Sequence, residues 1–207
     1  MSHEFNRQLA FGKIGEAYIA TWLKMSCRYH VLPVYEKEMQ EGKGPVLFPT
    51  QGETLIAPDL LAFRREGERL AKIRWVEAKT KSAFSWHRIT QRWVTGIDLH
   101  HYTQYQKVAD ISPWPVWLLF LHYEGRAKDS PAGCPTGLFG GDIRHLTKNE
   151  NHRSPNWGKS GMVYWAHSTL RPLATLEQVF RAMEDHQTRQ RTIALPVPAP
   201  AKTDKAA

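Results

Sequence analysis

Two strand-length runs, residues 58–64 and 70–79, flank the turn Arg65-Glu66-Gly67-Glu68, and this hairpin limits the fold more than any other part of the chain. A short charged link containing glycine between alternating apolar runs predicts antiparallel pairing. Side chains alternate across a strand, so Ile73, Trp75, Glu77 and Lys79 share one face. That face is apolar until Glu77 and Lys79 stand side by side at its end. Rough register across the turn brings Asp59 to within about two or three residues of Glu77. Two carboxylates and an ammonium then occupy one small area, which is costly unless a cation neutralises the acidic pair. Carboxylate oxygens suit Mg²⁺ or Mn²⁺ better than zinc.

The rest of the chain supplies the other layers. Residues 4–25 read as a helix, with Phe11, Gly15, Tyr18, Trp22 and Met25 at helical spacing. A second face of that helix carries Leu9, Gly12, Glu16, Ile19, Ala20 and Leu23, so Glu16 is a carboxylate among apolar neighbours and needs a partner. Gly12 and Gly15 leave room for a close approach. A short strand is predicted at 31–35, followed by a loop over 36–52. Residues 82–96 have no clean period. Asp98 is a fitting N-cap for a helix from Leu99 to about Asp110. Residues 116–123 form the clearest buried strand, and further strands are predicted near 137–145 and 162–167. Thr175 and Gln178 make a capping box for a last helix to about Asp185. The order implies a single α/β domain over 1–187, with helices around a central mixed sheet. Residues 188–207 are expected to be a disordered, basic, Pro/Ala-rich tail.

Charge narrows the partner. The net charge is +8, and residues 186–207 hold four Lys/Arg against Asp204, which leaves +5 on the remainder. A basic balance favours a polyanion such as nucleic acid. Arg88 and Arg92, interleaved with Trp86 and Trp93, would suit a nucleic-acid groove. Thr80 and Lys81 follow the Glu77–Lys79 pair and could meet a phosphate backbone, and Gln104 is the polar candidate on the Asp98-capped helix. No stretch approaches a membrane span, and Met1 to Arg7 lacks a signal-peptide core, so the expected location is cytoplasmic. Cys27 and Cys134 are too few for a disulfide framework or a cysteine zinc site.

Glu16 in an early helix, Pro58-Asp59 opening a strand and Glu77-Ala78-Lys79 ending the next resemble the PD-(D/E)xK nuclease superfamily, which includes restriction endonucleases and archaeal-type Holliday junction resolvases. The resemblance covers roughly residues 5 to 123. It implies a restriction-endonuclease-like three-layer core. It also implies Asp59, Glu77, the Ala78 carbonyl and Glu16 as metal ligands, and Lys79 orienting the attacking water. The implied reaction is hydrolysis of DNA phosphodiesters with Mg²⁺ or Mn²⁺, and a homodimer would suit a symmetric substrate. The alternative of another class is a non-catalytic nucleic-acid-binding module that keeps the fold.

Overall fold

Thirteen residues of strand, Arg69–Lys81, run through the centre of the molecule and pair on both edges. The computed structural model describes residues 3–34, 46–47, 54–126, 130–158 and 160–193. In chain order its elements are helix α1 (His3–Met25), strands β1 (His30–Pro33), β2 (Val46–Leu47), β3 (Leu55–Ile56), β4 (Leu60–Glu66), β5 (Arg69–Lys81), β6 (Ser85–His87) and β7 (Arg92–Asp98). Then come helix α2 (Leu99–Ile111), strands β8 (Val116–His122) and β9 (Gly137–Asp142), helix α3 (Ile143–Lys148), strands β10 (His152–Ser154), β11 (Met162–Ala166) and β12 (Arg171–Ala174), and helix α4 (Leu176–Ile193).

The main sheet has the order β1-β4-β5-β8-β9-β12. Only β5 and β8 are parallel, and the remaining pairs are antiparallel, so the sheet is mixed as expected. Its two faces bury different residues of the same strands. From β8, Leu118 and Phe120 join Trp75, Tyr102, Tyr105 and Trp165 on the α2 side, while Leu119 and Leu121 join Ile19, Leu23, Val76 and Val179 under α1 and α4. A strand covered on both faces reads as a continuous apolar run rather than an alternating one, which is why residues 116–122 stood out.

Three parts of the sequence reading change. The segment after residue 82 supplies β6 and β7 to a separate four-stranded sheet, β10-β11-β7-β6. The run expected to be strand to residue 145 stops at Asp142, whose side chain accepts from Arg144 N at 2.8 Å and starts α3. The last helix begins at the capping box, with Thr175 N donating to Gln178 Oε1 (2.9 Å) and Gln178 N to Thr175 Oγ1 (3.2 Å). It continues past Asp185 to Ile193, so residues 188–193, expected in the tail, are helical. The rest of the tail, 194–207, and most of the 36–52 loop lie outside the described residues.

Helix α1 runs against the direction of β5, with Gly15 over Thr80 near one end and Tyr29, just past the helix, against Arg74 near the other. Gly15 makes this approach possible, since a Cβ there would lie 2.6 Å from Thr80 Cβ and Cγ2. Gly15→Ala is therefore expected to destabilise the protein by about 1–3 kcal/mol through overpacking, despite roughly 1 kcal/mol of helix propensity gained. Urea denaturation should show Gly15→Ala/Thr80→Ala recovering only part of the loss, because the Cβ of residue 80 still lies 2.6 Å from the added methyl, and equal midpoints for wild type and Gly15→Ala would refute the contact.

Candidate active site

Pairing of Leu60 with Val76 leaves Asp59, just ahead of β4, beside Glu77 and Ala78. Ala78 N–H donates to Asp59 Oδ2 at 3.0 Å, and Asp59 N–H donates to Glu77 Oε2 at 3.3 Å. The two carboxylates also lie within hydrogen-bond reach of each other. Alternation then sorts β5, with Trp75 and Glu77 facing α2 and Val76 and Ala78 facing α1. Glu77 is fully buried, at 0 % exposure, and its Oε1 is ion-paired with Lys79 Nζ. Glu16 arrives from α1, close enough to Asp59 and Lys79 to feel both charges.

The electrostatics follow from burial and crowding. Burial, and then the Glu77 carboxylate, push Asp59 up to about 7 against the pull of Lys79 and the Ala78 N–H. Burial and then Asp59 push Glu16 up to about 7 as well, with Lys79 and Lys13 opposing. Burial by itself would lower Lys79, but the carboxylates of Glu77 and Asp59 outweigh it and hold the ammonium above its ordinary value. This lysine therefore stays charged.

Helix α2 contributes residues the sequence reading passed over. Tyr105 is buried, and its hydroxyl hydrogen-bonds to Glu77. Burial, Glu77 and Asp59 together hold that phenol well above its usual range. His101, one turn earlier, is kept low by burial and by the Lys79 ammonium, with Asp98 and Asp59 opposing. The available signal was their i, i+4 spacing on a capped helix next to the strand pair. Gln104, the candidate from the same helix, instead accepts Ile56 N–H through Oε1 at 3.2 Å, which ties α2 to β3.

Other candidates fall into two groups. Lys81 lies on β5 two residues past Lys79, and burial followed by the Lys79 ammonium lowers it to about 8. Thr80 is turned to the opposite face, where its Oγ1 is buried beneath Gly15. Arg88, in the turn after β6, and Arg92, the first residue of β7, are both exposed. Six residues of strand separate Arg92 from the Asp98 end of β7, roughly 20 Å at the rise of an extended chain. The structure thus gathers Glu16, Asp59, Glu77 and Lys79, adds Tyr105 and His101, and leaves Arg88, Arg92, Thr80 and Gln104 out of the cluster.

Among the described residues, no group of three or more His, Cys, Asp or Glu is already arranged around one ion position. The donor chemistry nevertheless fits a hard divalent cation. Asp59 and Glu77 form an all-oxygen pair, and the burial and carboxylate repulsion that raise Asp59 and Glu16 are what a cation would offset. No helix among the described residues is long and apolar enough to cross a membrane.

No protein-family model and no curated protein matches the chain. Solved structures similar in shape include two nucleases. Archaeoglobus fulgidus Hjc, a Holliday junction resolvase, is 11% identical with a TM-score of 0.41, covering 76% of this chain and 90% of its own. A nuclease from a fusselovirus is 10% identical with a TM-score of 0.38, covering 92% of this chain and 97% of its own.

Proposed function

We propose that this chain is a divalent-metal-dependent nuclease of the PD-(D/E)xK type that hydrolyses phosphodiester bonds in DNA. The observation that carries the reading is the buried Asp59–Glu77 carboxylate pair with Lys79 ion-paired beside it. Carboxylates raised by burial and a charged neighbour, as Asp59 and Glu16 are, cluster at functional sites. Asp59 and Glu77 would hold Mg²⁺ or Mn²⁺, with the Ala78 carbonyl and Glu16 completing the set. A bound ion supplies phosphoryl polarisation and a more acidic water.

This chain's own residues do the rest. The Ala78 N–H fixes the Asp59 carboxylate, and Tyr105 steadies Glu77 from the other side. Lys79, held protonated, donates hydrogen bonds to a phosphate oxygen and to the attacking water, and offsets charge that grows on the phosphate. Lys81 adds a second cation along the same strand face. The net charge of +8 favours capture of the polyanion.

Labelled plasmid, linear duplex, single strand and four-way junction, each with Mg²⁺, Mn²⁺ or EDTA, test the reading. Cleavage of at least one DNA with metal and none in EDTA is expected. Salt-dependent binding with no cleavage of any substrate would replace it with the non-catalytic module, and absence of DNA binding at low salt would remove both.

A further inference from the structure

A cavity of about 620 Å³ opens at the other end of β5, between the C-terminal end of α1 and strands β4, β5, β8 and β12. Five of its lining residues are cations, Arg28, Arg64, Lys72, Arg74 and Arg171, and none is Asp or Glu. Arg74 lies about 16 Å along the strand from Lys79 by the rise of an extended chain. It also shares the α1 face with Val76 rather than the α2 face with Glu77, so this pocket is separate from the carboxylate cluster.

Clustered guanidinium groups repel one another, and an anion is the usual reason they are held together. Three observations say that these are held. Arg74 is fixed over two rings, 5.1 Å from the Tyr29 centroid and 5.0 Å from Trp117, and Arg171 lies 5.9 Å from the same tryptophan. Arg74 Nε is buried with no hydrogen-bond acceptor, and a buried donor left unmatched is destabilising. Among the described residues, three non-glycines have positive φ, and two of them, Arg28 (57°) and Lys72 (53°), line this cavity. Arg28 closes the C-terminus of α1, where Tyr29 N–H donates to Leu23 O at 3.0 Å, and Lys72 lies at the irregularity in the β4–β5 register, so local backbone geometry fixes where both side chains leave the chain. A helix C-terminus attracts cations, which accounts for Arg28 next to α1 but not for Lys72, Arg74 and Arg171 on the sheet.

We propose that this pocket binds clustered phosphate groups, carried either by a free nucleotide or by the phosphorylated end of a DNA strand. Arginine forks match phosphate oxygens in pairs. The volume falls in the range of small-ligand sites and is concave, whereas a continuous duplex backbone presents a convex ridge. The proposal does not depend on the nuclease reading.

Calorimetric titration of the full chain in EDTA at low salt tests it, with inorganic pyrophosphate, ATP, and one oligonucleotide prepared with and without a 5′-phosphate. Saturable binding of pyrophosphate is expected. Arg171→Gln, at an exposed position, and Arg74→Gln should each weaken it about tenfold, the effect of losing one charge-assisted contact. Arg126→Gln, on a distant exposed loop, should leave it unchanged, and circular dichroism identifies any variant that fails to fold. Tighter binding of the 5′-phosphorylated oligonucleotide than of its hydroxyl form assigns the strand end, and ATP binding without that difference assigns the free nucleotide. Absence of saturable binding by every probe, or folded Arg171→Gln binding as wild type does, would overturn the proposal.

Discussion

Asp59→Asn is expected to abolish metal-dependent cleavage and, in EDTA at pH 8, to melt several degrees above wild type. The two effects share one cause. Burial and the Glu77 carboxylate raise Asp59 from an ordinary 3.8 to about 7. Between about pH 4 and 7 the folded chain keeps a proton that the unfolded chain has released. Stability of the metal-free wild type therefore falls as pH rises through that window and levels off above it. A shift of this size corresponds to about 4 kcal/mol at most. Asparagine keeps an oxygen for the Ala78 N–H but carries no charge, so the variant should not lose stability across the window. Differential scanning calorimetry from pH 4 to 8 should give curves that coincide near pH 4 and diverge above it. Adding Mg²⁺ should raise the wild-type melting temperature and leave the variant where it was, because a ligand stabilises only the state that binds it. Equal melting temperatures at pH 8 in EDTA would mean that the carboxylate is not under electrostatic strain.

The second large effect concerns Lys79. Lys79→Ala removes the cation from a carboxylate with no exposure to water. Breaking a buried pair from one side typically costs about 3–5 kcal/mol, more than the intact pair contributes, because the remaining charge is stranded. Glu77→Gln/Lys79→Ala should recover most of that loss, since an amide needs no counter-ion. It should remain inactive, because the proposed metal ligand and the proposed phosphate donor are both gone. Urea midpoints of the single and double variants separate a folding defect from a chemical one. If Lys79→Ala unfolds at the wild-type midpoint, the ion pair does not operate in solution.

Elements that meet most of their neighbours locally were readable in the chain. The first helix, the hairpin around Gly67, the buried run of β8, the Asp98 cap and the Thr175–Gln178 box all appear where spacing and capping chemistry put them. Of the second sheet, only β11 was readable, at the strand expected near 162–167. Two of its strands, β6 and β10, are three residues long, too short to display a period, and Gly96 interrupts the pattern of β7. The turn from β9 into α3 was missed because an apolar run does not say where a strand ends. The Asp142 cap was the usable signal.

By itself the sequence determined the composition of the site and the strand that carries it. The order Asp59, Glu77, Lys79 and the two-residue alternation place an acidic pair and a lysine at the end of an apolar row, whatever lies around them. Only the tertiary structure decided which other groups join and which do not. Tyr105 and His101 enter because α2 packs across β5, Gln104 is diverted to the Ile56 backbone, and Thr80 is sealed under Gly15. It also decided that Arg28, Arg64, Lys72, Arg74 and Arg171, spread over 144 positions of chain, line one cavity. Periodicity is a local property of the chain, whereas convergence of distant side chains depends on how whole elements pack.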